Sequence, residues 1–207
     1  MRLLVPLILL ILTISACVPL NATAEAVVEN ATEEMVAQTT EPVIDATDEV
    51  MVESTVESPA WLNADLVNIQ TGETFTIDDF AGKVVLVENL AMWCPTCLKQ
   101  QEQVKLLHEQ LGADSDLISI GFDVDQNEVA EDLKAYVDSN GFNWYYAIPS
   151  LEVVREIANL YGANFLNPPL TPVLIIDRQG VVHPMNMGLK SAEDLKLFIE
   201  PFLSEGI

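Results

Sequence analysis

Cys94 and Cys97 stand three residues apart, with Pro95 and Thr96 between them, where an apolar run gives way to a helical pattern. Cysteines at that spacing in the first turn of a helix lie close enough to join as a disulfide or to open as a dithiol. The first sulfur sits at the helix N-terminus, where unpaired backbone N–H groups and the helix dipole favour an anion. The thiolate is the attacking form, so Cys94 is expected to be the nucleophile. Cys97, one turn deeper, is expected to resolve the mixed disulfide that Cys94 forms with a client. A structural zinc site would need two further ligands, and the chain holds only three cysteines and two histidines. His108 falls on a helical face with Val104 and Leu111, and His183 precedes Pro184 in a terminal hairpin. No metal is expected, and no cofactor other than the Cys94–Cys97 pair itself.

The elements that must hold these residues follow from periodicity. Residues Lys83–Leu90 form a near-continuous apolar run, the pattern of a central strand buried on both faces. Glu88 interrupts that run, and a carboxyl there is costly unless it is used. A helix is predicted over Pro95–Leu111, stopped at Gly112. Leu117–Val124 reads as a second buried strand, Asn127–Asn140 as a helix, Phe142–Ala147 as a short strand, and Leu151–Tyr161 as a helix capped by Ser150. Pro172–Asp177 and Val181–Met185 form a hairpin across Arg178-Gln179-Gly180. Ser191–Leu203 closes the chain as a helix, with Ser191 and Asp194 in a capping box. Asp65–Gln70 and Glu73–Ile77, joined at Thr71-Gly72, predict an additional N-terminal hairpin. Alternating strands and helices with an antiparallel ending give an α/β fold with a central mixed sheet flanked by helices.

Composition divides the chain further. The formal net charge is −23, which excludes nucleic acid as a partner because phosphate neutralisation needs clustered Lys and Arg. Met1-Arg2, the apolar run Leu3–Leu12 and the small residues before Cys17 describe a secretory signal, with an apolar stretch shorter than the roughly 20 residues a spanning helix needs. Residues 18–58 carry ten acids, no Lys or Arg, no aromatic residue and no Gly. Such a segment has little to bury and repels itself, so it is expected to be an extended, disordered linker. The expected organisation is a signal over 1–17, an acidic linker over 18–58 and a folded domain over 59–207.

The run Val85–Cys97, Val-Leu-Val-Glu-Asn-Leu-Ala-Met-Trp-Cys-Pro-Thr-Cys, resembles the active-site strand and turn of the thioredoxin superfamily, in particular the membrane-tethered TlpA/ResA group of disulfide reductases. Thr76–Lys83 resembles that group's lead-in, and Thr171–Gly180 its cis-proline loop and hairpin. The likeness runs from about 61 to 205. It implies a thioredoxin-like fold and thiol–disulfide oxidoreductase activity, with Cys94, Cys97 and the buried acid Glu88 as catalytic residues. It also implies client-binding positions at Trp93, Pro95, Thr96, Thr171 and Pro172, with Pro172 in cis facing the cysteines and Thr171 offering backbone groups to a client. Ile14-Ser15-Ala16-Cys17 similarly resembles the bacterial lipoprotein box, which implies acylation of Cys17 and an extracytoplasmic domain anchored to a bacterial membrane. Client proteins with disulfides and a membrane electron donor of the CcdA/DsbD kind would then be the partners, in cytochrome c maturation or protein disulfide homeostasis.

Three departures bound that reading. Pro95-Thr96 replaces the Gly-Pro of thioredoxins. Gln100 stands where ResA-like enzymes carry an acid. The Thr that peroxiredoxins need three residues before a single attacking Cys is missing. A Cu(I)-binding alternative would draw on the thiolates with Met185 and Met187, but Sco-type copper proteins place three residues between their cysteines, not two.

Overall fold

The structure, a computed structural model, describes residues 58–113 and 115–204. The expected signal, Cys17 and the expected linker up to residue 57 lie outside the described residues.

A five-stranded mixed sheet organises the domain, in the order β5-β4-β3-β6-β7. Its centre is β3 (Val84–Leu90), in which every residue is buried. β4 (Leu117–Asp123) runs parallel to β3, pairing Glu88 with Gly121. β5 (Tyr145–Ala147) runs parallel to β4. On the other side β6 (Val173–Ile176) is antiparallel to β3, pairing Val173 with Glu88, and β7 (Val182–Pro184) closes the sheet. The extra N-terminal hairpin exists but is short: β1 (Leu66–Val67) pairs with β2 (Thr74–Phe75). Its second arm ends early because Thr76 and Asp79 form a reciprocal capping box that turns Ile77–Phe80 into a 3-10 helix.

Four helices cover the sheet: α1 (Pro95–Leu111), α2 (Ala130–Asn140), α3 (Leu151–Tyr161) and α4 (Ala192–Ser204). α2 starts three residues later than periodicity predicts. The Asp125 carboxylate accepts the Asn127 backbone N–H and side-chain amide, which holds that stretch as a turn, and Val129 is left exposed. The Ser191–Asp194 box is present as expected, each residue bonding the other's backbone N–H. No helix among the described residues is long and apolar enough to cross a membrane.

Period-2 alternation along the central strands sends side chains into two separate cores. Val85 and Val87 of β3, with Ile120 and Phe122 of β4 and Leu174 and Ile176 of β6, join Trp61, Leu62 and Ile157 in one. Val84, Leu86 and Leu90, with Val173 and Ile175, join Cys94, Cys97, Val104, Leu107 and Leu195 in the other. Glu88 lies between Leu86 and Leu90 in the alternation and therefore points to the face that holds the cysteines. Gly121, opposite it, leaves room for Tyr146: a Cβ there would come within 2.4 Å of the Tyr146 ring and 3.0 Å of Leu90.

Candidate active site

α1 begins where it does because Pro95 occupies its first position, with φ preset for a helix and no N–H to leave unpaired. The residue before it, Cys94, is then the N-cap, and its Sγ accepts the Cys97 backbone N–H at 3.1 Å. Cys94 and Cys97 are joined as a disulfide with their Cα atoms 5.3 Å apart. Thr96 Oγ1 lies 3.2 Å from Cys94 Sγ and 3.3 Å from the Pro169 carbonyl oxygen. The Cys97 Sγ lies 3.2 Å from the Pro168 carbonyl oxygen.

These contacts make the two sulfurs unequal once the bond opens. Cys94 faces a donor, the Cys97 backbone N–H at the positive end of a helix, which stabilises a thiolate, while the Thr96 hydroxyl gives its one proton to the Pro169 carbonyl. Cys97 faces a carbonyl, which accepts from S–H and so favours the protonated thiol. Both sulfurs are covered, however: Cys94 is 1% exposed and Cys97 fully buried, whereas Trp93 beside them is 57% exposed. The loop between β4 and α2 steadies that turn, as the Trp93 indole N–H donates to Asp125 Oδ2 at 2.8 Å and the Met92 backbone N–H to Glu128 Oε2 at 2.9 Å.

Glu88 is buried, and its Oε1 has no hydrogen-bond partner. Desolvation pushes its pKa well above the ordinary carboxyl value, and the positive charge of Lys190 opposes that rise. Lys190 is itself buried, and its Nζ donates to the Thr171 carbonyl oxygen. Desolvation lowers the Lys190 pKa to about 8, against the raising influence of Glu88. Around them runs an uncharged network: Tyr146 O–H donates to Gln101 Oε1 at 2.8 Å, and Gln101 Nε2 donates to Tyr136 Oη at 3.0 Å and the Cys97 carbonyl at 3.3 Å.

The loop before β6 departs from expectation. The described residues contain no cis peptide bond, so Pro172 is trans. Pro168–Leu170 form a 3-10 turn, and Thr171 closes it in the left-handed region with φ 45° and ψ 58°. Its N–H donates to the Pro168 carbonyl at 2.8 Å and its carbonyl accepts from Lys190, so neither backbone group is free for a client as it stands. The Pro172 carbonyl accepts the Asn89 N–H at 3.2 Å, at the end of the β3–β6 ladder. The polar contacts to the cysteine turn come instead from Pro168 and Pro169. Sequence reasoning passed over these two, although Asn167-Pro168-Pro169 is a strong turn signal. It also passed over Lys190, whose burial depends on the tertiary fold.

The remaining candidates pack. His108 stacks on Trp144 and pairs with Ser119 at 2.9 Å, and burial lowers its pKa. His183 pairs with Asp177 and stacks on Phe202. Met185 belongs to the cysteine-side core, and Met187 packs against the opposite one. Among the described residues no group of three or more His, Cys, Asp or Glu is placed to hold a metal ion.

The Redoxin family model matches residues 54–194. Among solved structures, a thiol:disulfide interchange protein of the thioredoxin family from Chlorobium tepidum TLS is 20% identical, covering 68% of this chain and 93% of its own, with a TM-score of 0.56. The thioredoxin domain of a thiol-disulfide oxidoreductase from Bacteroides vulgatus is 18% identical over 72% of this chain and all of its own, with a TM-score of 0.55. A secreted thiol-disulfide isomerase from Corynebacterium glutamicum is 16% identical over 69% of this chain and 84% of its own, at 0.56. These likenesses establish the fold. No curated protein matches the chain.

Proposed function

Because the chain belongs to the Redoxin family, we propose that it is a thiol–disulfide oxidoreductase acting on client proteins through Cys94 and Cys97. The observation that carries this reading is the inequality of the two sulfurs, a backbone N–H donor at Cys94 and a carbonyl acceptor at Cys97. The Cys94 thiolate attacks one sulfur of a client disulfide, and the other client sulfur leaves as a thiolate and takes a proton from solvent. Cys97 then gives its proton to the Glu88 carboxylate and attacks Cys94 Sγ. The Cys94–Cys97 bond forms, the bond from Cys94 to the client breaks, and two electrons have passed to the client. Trp93 and Pro95, exposed beside the disulfide, form the first surface a client meets. Thr96 is partly exposed beside them, whereas Thr171 and Pro172 are buried.

The finer reading is a reductase of the TlpA/ResA kind, extracytoplasmic and anchored through lipidated Cys17. The lipoprotein-like Ile14–Cys17 and the acidic stretch after it support the anchor and its reach. Outside the cytoplasm the disulfide must be reopened by a donor, for which a CcdA/DsbD-like membrane protein is the fitting class. The setting is cytochrome c maturation or the upkeep of protein disulfides. Faster reduction of an oxidised haem-binding CxxCH peptide than of insulin would favour the former.

The purified protein should reduce insulin with dithiothreitol as the electron source, and Cys94→Ser should abolish this. A parent protein no faster than dithiothreitol alone overturns the reading. A reduction potential near about −270 mV marks a reductant, and one near about −120 mV an oxidant.

A further inference from the structure

Away from the cysteine turn, a groove that the exchange chemistry does not use opens between the N-terminal hairpin and the starts of α2 and α3. Val67, Ile69, Ala130 and Ile148 line it, with Asp65 and Ser150. Val67 is 53% exposed, and Val129 and Leu151, each next in sequence to a lining residue, are 53% and 50% exposed. Scattered apolar side chains need no explanation, but a group of them on one surface marks a contact site. The walls are fixed. The Ile69 N–H donates to the Tyr146 carbonyl at 2.9 Å and Gln70 Nε2 to the Phe142 carbonyl at 3.3 Å, which seats the hairpin against β5 and the turn before it. On the other side Gln126 Nε2 donates to the Pro149 carbonyl at 3.4 Å, and Ser150 caps α3 by accepting the Val153 N–H. A surface held in this way has little freedom left to lose on binding.

Charge and position say what fits there. The lining residues belong to the stretches 58–82, 106–133 and 135–154, none of which contains a Lys or Arg. Asp65 lines the groove, Glu131 and Asp132 stand in the first turn of α2, and Glu152 stands in that of α3. The nearest lysine in sequence, Lys134, is already paired with Asp138 at 2.7 Å. A second copy of the chain, at −23, and the ten-acid stretch over 18–58 carry the same sign as the groove and are repelled by it. Position links the groove to the disulfide. Asp125, which accepts from the Trp93 indole, and Glu128, which accepts from the Met92 N–H, belong to the loop that leads into Val129.

We propose that this groove is a client-docking surface, which takes an extended polypeptide segment bearing apolar and Lys or Arg side chains from a protein whose disulfide is exchanged at Cys94. This rests on the oxidoreductase reading and adds a substrate class to it. Apolar side chains of the segment cover Val67, Val129 and Leu151, and its cations meet the surrounding acids. Opposite charge speeds the encounter and selects the partner, while the apolar contact slows release.

Loss of insulin reduction in Cys94→Ser is established first, so that failure of the oxidoreductase reading is recognised separately. The full chain, with dithiothreitol as electron source, is then given disulfide-bearing peptides that differ only in a flanking segment, Leu with Lys or Leu with Glu, on either side of the disulfide. The lysine peptides should show a KM about tenfold lower at low ionic strength, and the gap should close in about 1 M salt. Val67→Ser combined with Val129→Ser should raise the KM for the lysine peptides about tenfold, with the loss in KM rather than kcat. If that double variant does not fold, the site is read in Cys97→Ser, which leaves the peptide joined to Cys94. A photo-reactive group on the flanking segment should then cross-link to 65–72, 129–131 or 148–151. Equal KM values for lysine and glutamate peptides, a preference that salt does not weaken, cross-links outside those stretches, or cross-links to a second copy would each overturn the proposal.

Discussion

At the end of the sheet where β3 begins and β6 finishes, the Arg178 side chain is 8% exposed, and its guanidinium donates to the carbonyls of Gly82 at 2.7 Å, Phe202 at 3.1 Å and Leu203 at 3.1 Å, and to Asp116 Oδ2 at 3.0 Å. At the opposite end, where β3 and β4 finish, four buried side-chain atoms have no hydrogen-bond partner: Glu88 Oε1, Asn89 Oδ1, Asp123 Oδ2 and Thr171 Oγ1. No such atom falls at the Arg178 end among the described residues. An unpaired buried polar group costs about 1–3 kcal/mol, so the contrast separates a region that stabilises the fold from one that spends stability on chemistry. Natural sequences break packing rules mainly where function requires it.

Four substitutions test that division. The largest effect is expected at the satisfied end: Arg178→Met should lower unfolding free energy by about 3 kcal/mol, because three carbonyls lose a charged donor. Urea unfolding reads the loss, while the insulin reduction rate of the folded fraction should be unchanged. Glu88→Gln should do the reverse, slowing mixed-disulfide resolution about 100-fold while stability at neutral pH is unchanged or improved. Quenched time courses would show the trapped intermediate accumulating. Gly121→Ala should cost about 2 kcal/mol by overpacking, because its Cβ would collide with the Tyr146 ring that anchors the Gln101 network.

The smallest effect concerns Asp123. Burial, with Glu128 beside it, raises its pKa from 3.8 to about 8. The native chain therefore keeps a proton that the unfolded chain has released. The stability tied to this group is intact below about pH 4 and falls as pH rises towards about 8. Asp123→Asn should flatten that decline, leaving the variant about 1 kcal/mol more stable than the parent at pH 8 after solvent screening. Thermal melts at pH 4 and pH 8 would show the gap only at the higher pH.

Much of the satisfied architecture was readable along the chain, because its causes are local. The apolar run of β3, Pro95 at the first turn of α1, Ser150 at the start of α3, and the Ser191–Asp194 box each depend on neighbours within four residues. Alternation along β3 also marked Glu88 as a charge inside a buried strand. The boundaries that shifted, at Ile77 and at Asn127–Val129, were decided by side-chain bonds that compete with the regular element.

By itself the sequence determined that a dithiol pair would sit at a strand–helix junction with an acid buried in the same strand, since helix caps and strand alternation are short-range effects. The tertiary structure alone decided which groups meet that pair. Pro168 lies 71 residues from the Cys97 it touches, Pro169 lies 73 from Thr96, and Lys190 lies 90 from the Gln100 that frames it. The left-handed Thr171 and the trans bond to Pro172 likewise depend on the turn before them and on a lysine from another loop. Spacing within a segment cannot encode such contacts, because burial and hydrogen-bond partners at that separation exist only once the sheet has brought the segments together.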